Sequence, residues 1–417
     1  MRRIPAGGIN LFQLIYILVR EYQEKTGRPA MNLSLGNPDT VPARRILELQ
    51  ARFAADPGFD YHTYAEENDL RRFAEGMVEL HSGVRAAEHP GLRVLPIPGI
   101  KNATAFIPLA CGLHLPDRRR RERFILASNQ PAYDVIGTWA GGYLGAERVV
   151  WPLVPEEGMR LNVGRLREAC GTRKPDLVFV IRPGNPASVG ASAAEWKELI
   201  AFCLETGARL VNDAAYVGLA GPAHVPLAAV AKDFPGLEWL ELYSVSKSFS
   251  DPGARLGALI GSKDFVEDFI LIKGNSESGP VPYVMAAYGE FFSEGDAART
   301  ALADLRAMYR RRIDYVVSRL KAAGLREACR CEDGFFTLWR VPRRAFGADL
   351  ASDPRVAGLP PHEAFNRLVI SETGLVGVHF LAPVGGPMIR YGVCSDVLDP
   401  AFQKRFEEAL TRLHPEY

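Results

Sequence analysis

The sequence predicts an α/β protein with a large domain on a mostly parallel, seven-stranded sheet and a smaller α+β domain. Between residues 92 and 261, seven short apolar runs alternate with helical patterns. Near-continuous apolar strands between helices are typical of parallel sheets. The last third of the chain has a different pattern, in which a long helix precedes a few strands. The length of 417 residues also favours two domains over one simple core.

Residues 1–45 are assigned to an N-terminal arm with its helix and to part of the small domain. Two arginines followed by an apolar stretch resemble a signal peptide, but Gln13 interrupts the stretch and no small-residue cleavage site follows. Asn10 is a suitable N-cap for a helix that ends before Gly27. Since no apolar run reaches transmembrane length, we expect a cytoplasmic protein with no membrane contact.

The large domain is predicted over residues 46–290. Its strands are predicted at the seven apolar runs, which are 92–97, 123–128, 148–153, 176–181, 208–213, 239–244 and 255–261. The clearest helix covers 192–207, where Ser192 and Glu195 have capping-box spacing and Gly207 follows the last turn.

The small domain is predicted over residues 291–417. Its elements are a long helix at 296–324, a strand at 334–341, a second helix near 361–373 and a strand at 388–394. Gly324 ends the long helix. This order of helices and strands is typical of an α+β domain.

The composition excludes several classes of partner. The net charge is +1, so no overall field favours nucleic acid or an anionic membrane. The one dense charge run, residues 117–124, lacks interleaved aromatic residues and is interpreted as a solvated loop before a strand. The six cysteines are scattered and lack zinc-ligand spacing, which indicates free thiols in a reducing compartment.

Polar residues follow three successive predicted strands. Asn185 follows the strand at 176–181. Asp213 ends the next strand and Tyr216 follows it, while Ser244 ends the third and Lys247 follows it. Ligands of α/β sheets bind beyond the carboxyl ends of the strands, so we expect these residues to converge on one rim.

Together these residues indicate a particular chemistry. Lys247 can form an imine with an aldehyde, while Ser244 and Arg255 hold an anionic group. A glycine turn at 98–106 leads into a helix whose N-terminal amides form a second anion site. A buried Asp213 carboxylate would keep a pyridine nitrogen protonated, which is the partner that pyridoxal phosphate requires.

With this motif set the chain resembles the fold-type-I pyridoxal-phosphate enzymes, specifically the class I/II aminotransferases. The resemblance extends from residues 32–39 to residues 388–394 and is carried by the order and spacing of the motifs. It implies the aspartate aminotransferase-like fold and pyridoxal 5'-phosphate as the cofactor.

The resemblance also implies residue roles. Lys247 forms the internal aldimine and acts as the general base, Asp213 contacts the pyridine nitrogen, and Asn185 and Tyr216 contact the phenolic oxygen. The other implied cofactor ligands are Ser244, Arg255, Gly99, Ile100 and Lys101 at the phosphate, Tyr133 stacked on the ring, and Tyr61 reaching the phosphate of the neighbouring subunit. Gly36 lies near the substrate and Arg390 grips its α-carboxylate. The role of Tyr61 implies a homodimer with shared active sites.

Two departures from the family pattern and one further glycine bear on the turns of this site. Ala187 and Ser188 stand where the family has threonine and glycine, so the turn after Asn185 has room to differ in shape. Ile100 replaces a small polar residue, so only its backbone amide is available. Gly253 is expected to supply the turn that returns the chain to Arg255.

The leading functional prediction is an aminotransferase that moves an amino group between an α-amino acid and a 2-keto acid. The alternative is another reaction of the same cofactor at the α-carbon, catalysed by a lyase, decarboxylase, cyclase or oxidase. A non-catalytic ligand sensor is disfavoured because no DNA-binding segment is evident. Glu277 is either a partner for a cationic substrate side chain or, as we favour, an ordinary loop glutamate.

Overall fold

The computed structural model describes residues 11–65, 68–115 and 123–417. The N-cap predicted at Asn10 and most of the arginine-rich run, residues 117–122, lie outside the described residues.

The described elements are labelled in chain order. The helices are α1 (Leu11–Thr26), α2 (Arg44–Ala55), α3 (Phe73–Ser82), α4 (Ile100–Ala110), α5 (Val163–Cys170), α6 (Ala193–Thr206), α7 (Leu227–Ala231), α8 (Val245–Ser248), α9 (Lys263–Lys273), α10 (Pro282–Ser293), α11 (Ala297–Ala322), α12 (Pro361–Thr373) and α13 (Pro400–Leu410). The strands are β1 (Met31–Asn32), β2 (Leu92–Ile97), β3 (Ile125–Gln130), β4 (Glu147–Pro152), β5 (Leu177–Ile181), β6 (Arg209–Asp213), β7 (Trp239–Ser244), β8 (Gly257–Ser262), β9 (Phe336–Arg340), β10 (Arg344–Ala345), β11 (Ala348–Asp349), β12 (Leu375–Val376), β13 (Val378–Ala382) and β14 (Gly386–Gly392).

The chain divides into two compact units. The terminal unit comprises Met1–Asp39, Tyr309–Cys331 and Phe335–Tyr417, and the central unit comprises Thr40–Met308 and Glu332–Gly334. The sequence predicted domain boundaries at 45/46 and 290/291, which differ from the limits of these two compact units. The predicted division into domains stays a prediction.

The central unit is built on a seven-stranded sheet in the order β2-β8-β7-β6-β5-β3-β4. Strands β7, β6, β5, β3 and β4 are parallel neighbours, and β8 runs antiparallel to both β7 and β2. The sheet is therefore parallel except for β8, which confirms the predicted fold class. All seven apolar runs became its strands, with ends shifted by a few residues.

Burial explains why these strands read as apolar runs rather than as alternating patterns. Every residue of β5 is buried, and helices α4 and α9 share one core with the sheet. Helix α6 begins as predicted, with Ser192 and Glu195 forming both bonds of the capping box and Gly207 in the left-handed conformation after the last turn.

A buried carboxylate ties β7 to its surroundings. Glu241 accepts hydrogen bonds from Asn212 Nδ2 (2.8 Å), Tyr243 Oη (2.7 Å) and the backbone amides of Leu227 (3.0 Å) and Ala228 (2.7 Å). The side chain is fully buried. Four donors thus depend on one acceptor group that water does not reach.

We expect Glu241→Ala to lower the free energy of unfolding by about 3–4 kcal/mol, because it leaves these buried donors unsatisfied. Urea denaturation of the cofactor-free protein measures this change. The matched control is Glu238→Ala, which removes a half-exposed glutamate just before the same strand and should cost far less. Equal losses in both variants would contradict the assignment.

The terminal unit contains the three-stranded antiparallel sheet β13-β14-β9 and the parallel pair β1-β12. Helix α1 joins a core formed by Ile15, Tyr22, Ile370, Val376 and Val378. The predicted helix at 361–373 is confirmed as α12, and the strands at 334–341 and 388–394 correspond to β9 and β14. Among the described helices, none combines the length and apolarity needed to cross a bilayer.

Candidate active site

The site residues of the central unit leave the sheet at one edge. Residues Ile181, Asp213 and Leu242 lie in one row across β5, β6 and β7, and Ser244 pairs with Gly257 at the start of β8. Ile97, the last residue of β2, pairs with the same Gly257. The loops that follow these strands therefore emerge together, as expected for carboxyl ends of parallel strands.

Lys247 lies in the short turn of helix that follows β7. Ser244 caps this turn, because its Oγ accepts the amide of Ser246 (3.1 Å) and donates to Ser246 Oγ (2.9 Å). The amide of Val245 donates to Leu256 O at 3.2 Å, which joins the turn to the strand entering from Arg255. Lys247 is half-buried. Its backbone is thus fixed from both sides.

The turn that leads to Arg255 contains Gly253, but other residues give it its shape. Gly253 was expected to supply it, but the left-handed residues are Ser250 (φ 54°) and Arg255 (φ 49°). Asp251 stabilises the turn, since Oδ1 accepts the amide of Ala254 at 3.2 Å. Gly253 lies inside this turn, which spans Pro252–Ala254, but without the left-handed conformation that would require a glycine.

Asp251 is a site-shaping residue that the sequence analysis missed. Its Oδ2 accepts hydrogen bonds from Gln50 Nε2 and Tyr288 Oη, both at 2.9 Å. These donors are about 200 and 37 residues away in sequence. The only local signal was an aspartate before Pro252, a pattern that initiates turns.

The glycine turn after β2 lies against the guanidinium of Arg255. Gly99 has φ 95°, and a Cβ there would meet Arg255 Nη2 at 2.7 Å. Arg255 Nη2 also approaches Pro98 O at 3.4 Å. Helix α4 starts directly afterwards, so the amides of Ile100 and Lys101 face the same place as the arginine. The Ile100 side chain is buried in the core, which leaves only its amide available.

Tyr133 joins the same edge through β3. Its amide donates to Asn185 O at 3.0 Å, and Lys101 Nζ donates to its phenol oxygen at 3.0 Å. Tyr133 is 42% exposed, so the residue is accessible to a ligand.

Asn185, Tyr216 and Asp213 form the other side of the site. Asn185 Nδ2 donates to Tyr216 Oη at 3.2 Å, and both side chains are buried. Asp213 Oδ1 accepts the amide of Ala215 at 3.0 Å. Burial raises the pKa of the Asp213 carboxyl to about 6, with the Ala215 amide opposing the shift. A cationic partner would lower this pKa again by stabilising the carboxylate.

Tyr61 has an intramolecular partner in the single chain. Its hydroxyl accepts a hydrogen bond from Arg71 Nη2 at 3.0 Å, and its ring packs on Phe53 with centroids 5.0 Å apart. The predicted role of Tyr61 at a neighbouring subunit stays a prediction.

The two predicted substrate residues belong to the terminal unit. Arg390 on β14 is buried, donates to Ser34 O at 2.6 Å and stacks over the Phe336 ring at 4.1 Å. A Cβ at Gly36 would meet that ring at 3.0 Å. Gly36 thus lets the backbone approach Phe336, and Phe336 in turn orients the guanidinium.

Glu277 already has partners within the chain. Its Oε1 lies 3.2 Å from Lys273 Nζ, and Oε2 accepts the amide of Gly279. Lys273 is almost fully buried. The contacts favour the structural interpretation over a substrate contact, and the i,i+4 spacing of the two residues was a sequence signal for it.

Comparisons with known proteins agree with this geometry. The family model "Aminotransferase class I and II" matches residues 28–371, which is most of the chain. The chain belongs to this family. Membership makes it an enzyme of the aminotransferase type and implies pyridoxal phosphate as the cofactor.

Relatives and solved structures extend the comparison over nearly the whole chain. The LL-diaminopimelate aminotransferase of Syntrophobacter fumaroxidans is 28% identical over 407 residues, covering 97% of this chain and 95% of its own. A single mutant of Thermus thermophilus aspartate aminotransferase has a TM-score of 0.77 at 20% identity, with coverage of 99% and 98%. N-succinyldiaminopimelate aminotransferase from Mycobacterium tuberculosis has a TM-score of 0.74 at 21% identity, with coverage of 95% and 96%. These two structures share the fold.

The residues of the central unit fit the chemistry of that cofactor. An arginine, a capped serine and helix N-terminal amides suit a phosphate. The close approach at Gly99 leaves the backbone and Arg255 open to a shared anion, whereas a side chain there would collide with the guanidinium. The lysine, the partly buried Asp213 carboxylate and the paired amide and phenol complete a matching donor set.

Proposed function

We propose that this aminotransferase uses pyridoxal phosphate held by Lys247 to exchange an amino group between an α-amino acid and a 2-keto acid. The observation that carries the proposal is the meeting of the Ser244–Lys247 turn, Arg255 and the Gly99 turn at the edge where Asp213 also ends its strand. When bound, the cofactor supplies an electron sink for the α-carbon.

Each group of residues has a separate task in this proposal. Ser244, Arg255, Gly99, Ile100 and Lys101 bind the phosphate, and Arg255 supplies a permanent charge. Tyr133 covers one face of the ring. Since Lys101 Nζ donates to the Tyr133 hydroxyl, the position of that ring depends on the phosphate turn.

Lys247 holds the cofactor and then moves the proton. Its amine, once released by the incoming amino group, takes the proton from the substrate α-carbon. Asp213 stays ionised beside a positive ring nitrogen and so stabilises that charge. Asn185 and Tyr216 donate hydrogen bonds toward the phenolic oxygen, with Asn185 Nδ2 also fixing the orientation of the Tyr216 hydroxyl.

The active protein is proposed to be a homodimer in the cytoplasm, with Tyr61 contributing to the neighbouring site. The relatives named LL-diaminopimelate aminotransferase make a diamino dicarboxylic acid the first donor to test. The intramolecular partners of Glu277 argue against that residue as the contact for a second amino group.

The test separates transamination from the other reactions of this cofactor. Purified protein is loaded with pyridoxal phosphate and given one amino donor without any keto acid. We expect one equivalent of keto acid per site and loss of the visible band, then recovery of the band when a keto acid is added. Loss of carbon dioxide or ammonia instead would support a decarboxylase or lyase.

We expect Arg390→Leu to raise the KM for the amino donor about 100-fold, because a buried arginine–carboxylate interaction is lost. A smaller change is expected in kcat, since the carboxylate is bound in both ground and transition states. Steady-state kinetics measure both values. The control is Arg330→Leu, which removes an exposed arginine of the same unit and should change neither. An unaltered KM in the Arg390 variant would remove it from the substrate site.

A further inference from the structure

The segment Glu332–Gly334 of the central unit connects the two turns that follow Asn185 and Tyr216. Ser188 O accepts the amides of Glu332 (3.1 Å) and Asp333 (3.0 Å). The amide of Gly334 donates to Leu219 O at 3.1 Å. Ser188 and Leu219 each lie three residues beyond a residue of the Asn185–Tyr216 pair, so this segment joins the supports of both.

The side-chain carboxylate of Asp333 also connects the turns that follow Asn185 and Tyr216. It accepts the amide of Gly221 at 2.5 Å and that of Gly190. The backbone must come close for this, since a Cβ at Gly190 would lie 2.9 Å from Asp333 Oδ2. Asp333 is 3% exposed. One buried group therefore fixes the end of each turn.

The charge of Asp333 strengthens these bonds. Burial raises the pKa of its carboxyl to about 6, which still leaves it ionised at neutral pH. Amide hydrogen bonds to a carboxylate are stronger than those between neutral groups. The buried Arg182 donates to Val189 O at 2.9 Å, so the first turn also carries a cation near the carboxylate.

Ser188 explains why this support is needed. It is a left-handed residue with φ 48°. A non-glycine residue in this conformation is strained. The hydrogen bonds that Ser188 O accepts from two amides hold the turn in its strained form. The shape of this turn sets the position of Asn185.

We propose that Asp333 is a positioning residue for Asn185 and Tyr216. The proposal rests on the proposed function, because those two side chains matter only if they donate to the phenolic oxygen of pyridoxal phosphate. Donors to that oxygen make it a weaker acceptor for the proton shared with the Lys247 nitrogen. They therefore lower the pH at which the visible absorbance of the bound cofactor changes.

The experiment is a pH titration of the visible absorbance of the loaded protein. Asp333→Asn should raise the midpoint by at least about half a pH unit, in the same direction as Tyr216→Phe. The matched control is Glu332→Gln, which changes the neighbouring carboxylate, whose side chain pairs with Arg160 at 3.0 Å. Its midpoint should equal that of the unaltered protein. Thermal unfolding of each cofactor-free variant reports any purely structural loss.

The outcomes separate the two proposals. If Tyr216→Phe moves the midpoint and Asp333→Asn does not, the positioning role is overturned while the proposed function stands. If the unaltered protein shows no visible band with pyridoxal phosphate, both are overturned. Should Asp333→Asn fail to fold, Asp333→Glu keeps the charge but moves the oxygens by one methylene. A smaller shift of the same sign then supports the role, and an unmoved midpoint overturns it.

Discussion

Replacing Lys247 with alanine should abolish the visible band of the loaded protein and lower turnover at least about 1,000-fold. The loss has two causes, because the variant can neither hold the cofactor covalently nor remove the substrate proton. Absorbance spectra after gel filtration with pyridoxal phosphate, followed by half-reaction kinetics, measure the two effects separately.

The fold should survive this change. Lys247 is half-buried in a four-residue turn whose backbone is held by Ser244 and by Leu256, and neither contact needs the lysine side chain. The midpoint of thermal unfolding of the cofactor-free protein should therefore change little. Lys263→Ala, at an exposed ion pair with Glu267, is the control for removing a lysine. Turnover of the Lys247 variant at the unaltered rate would disprove the proposed role.

Much of the fold follows from periodic patterns in the sequence. The seven apolar runs predicted the strands because parallel strands are buried on both faces, and β5 shows this directly. Ser192 and Glu195 predicted the start of α6 because a capping box depends on residues only three apart. Local chemistry sufficed in both cases.

The polar rim was predictable for a related reason. In parallel strands the carboxyl ends meet at one edge, so Asn185, Asp213 and Ser244 had to converge once their strands were assigned. Lys247 and Arg255 followed from their distance along the chain to Ser244. Their individual roles came from the resemblance to a family.

The supports of the site were not predictable, because they depend on contacts distant in sequence. Gly253 was the obvious candidate for the turn before Arg255, yet Asp251 holds that turn with Gln50 and Tyr288. Asp333 meets Gly221 across 112 residues, and no local pattern marks it. Long-range hydrogen bonds leave no periodic trace in the sequence.

The Asp213→Asn variant should lose activity and gain stability at neutral pH. Burial raises the pKa of Asp213 in the cofactor-free protein from 3.8 to about 6. Between about pH 4 and pH 6, the folded protein therefore keeps this proton, whereas the unfolded chain has released it. The free energy of unfolding thus falls as pH rises from about 4 to about 6 and is insensitive to this group above that.

Asparagine carries no charge, so it removes the free-energy cost of an ionised Asp213 in the folded protein, and it keeps an oxygen that can accept the amide of Ala215. We expect the cofactor-free variant to be more stable than the unaltered protein by about 2 kcal/mol at pH 7, and equally stable near pH 4. Urea denaturation at the two pH values measures this. Turnover should fall at least about 1,000-fold, since a neutral amide does not stabilise a positive ring nitrogen. Asp233→Asn, at an exposed pair with Lys232, should change neither property.

Replacing a functional carboxylate should raise the stability of the protein while lowering its activity, whereas replacing a structural carboxylate should lower its stability. Glu241 has four donors within the chain, so its removal should destabilise the protein. The Asp213 carboxylate accepts a hydrogen bond from the amide of Ala215, which does not compensate for its loss of hydration, and a cationic ligand would offset that loss. A destabilised Asp213→Asn protein at pH 7, or one with full turnover, would show that Asp213 serves the fold instead of the cofactor.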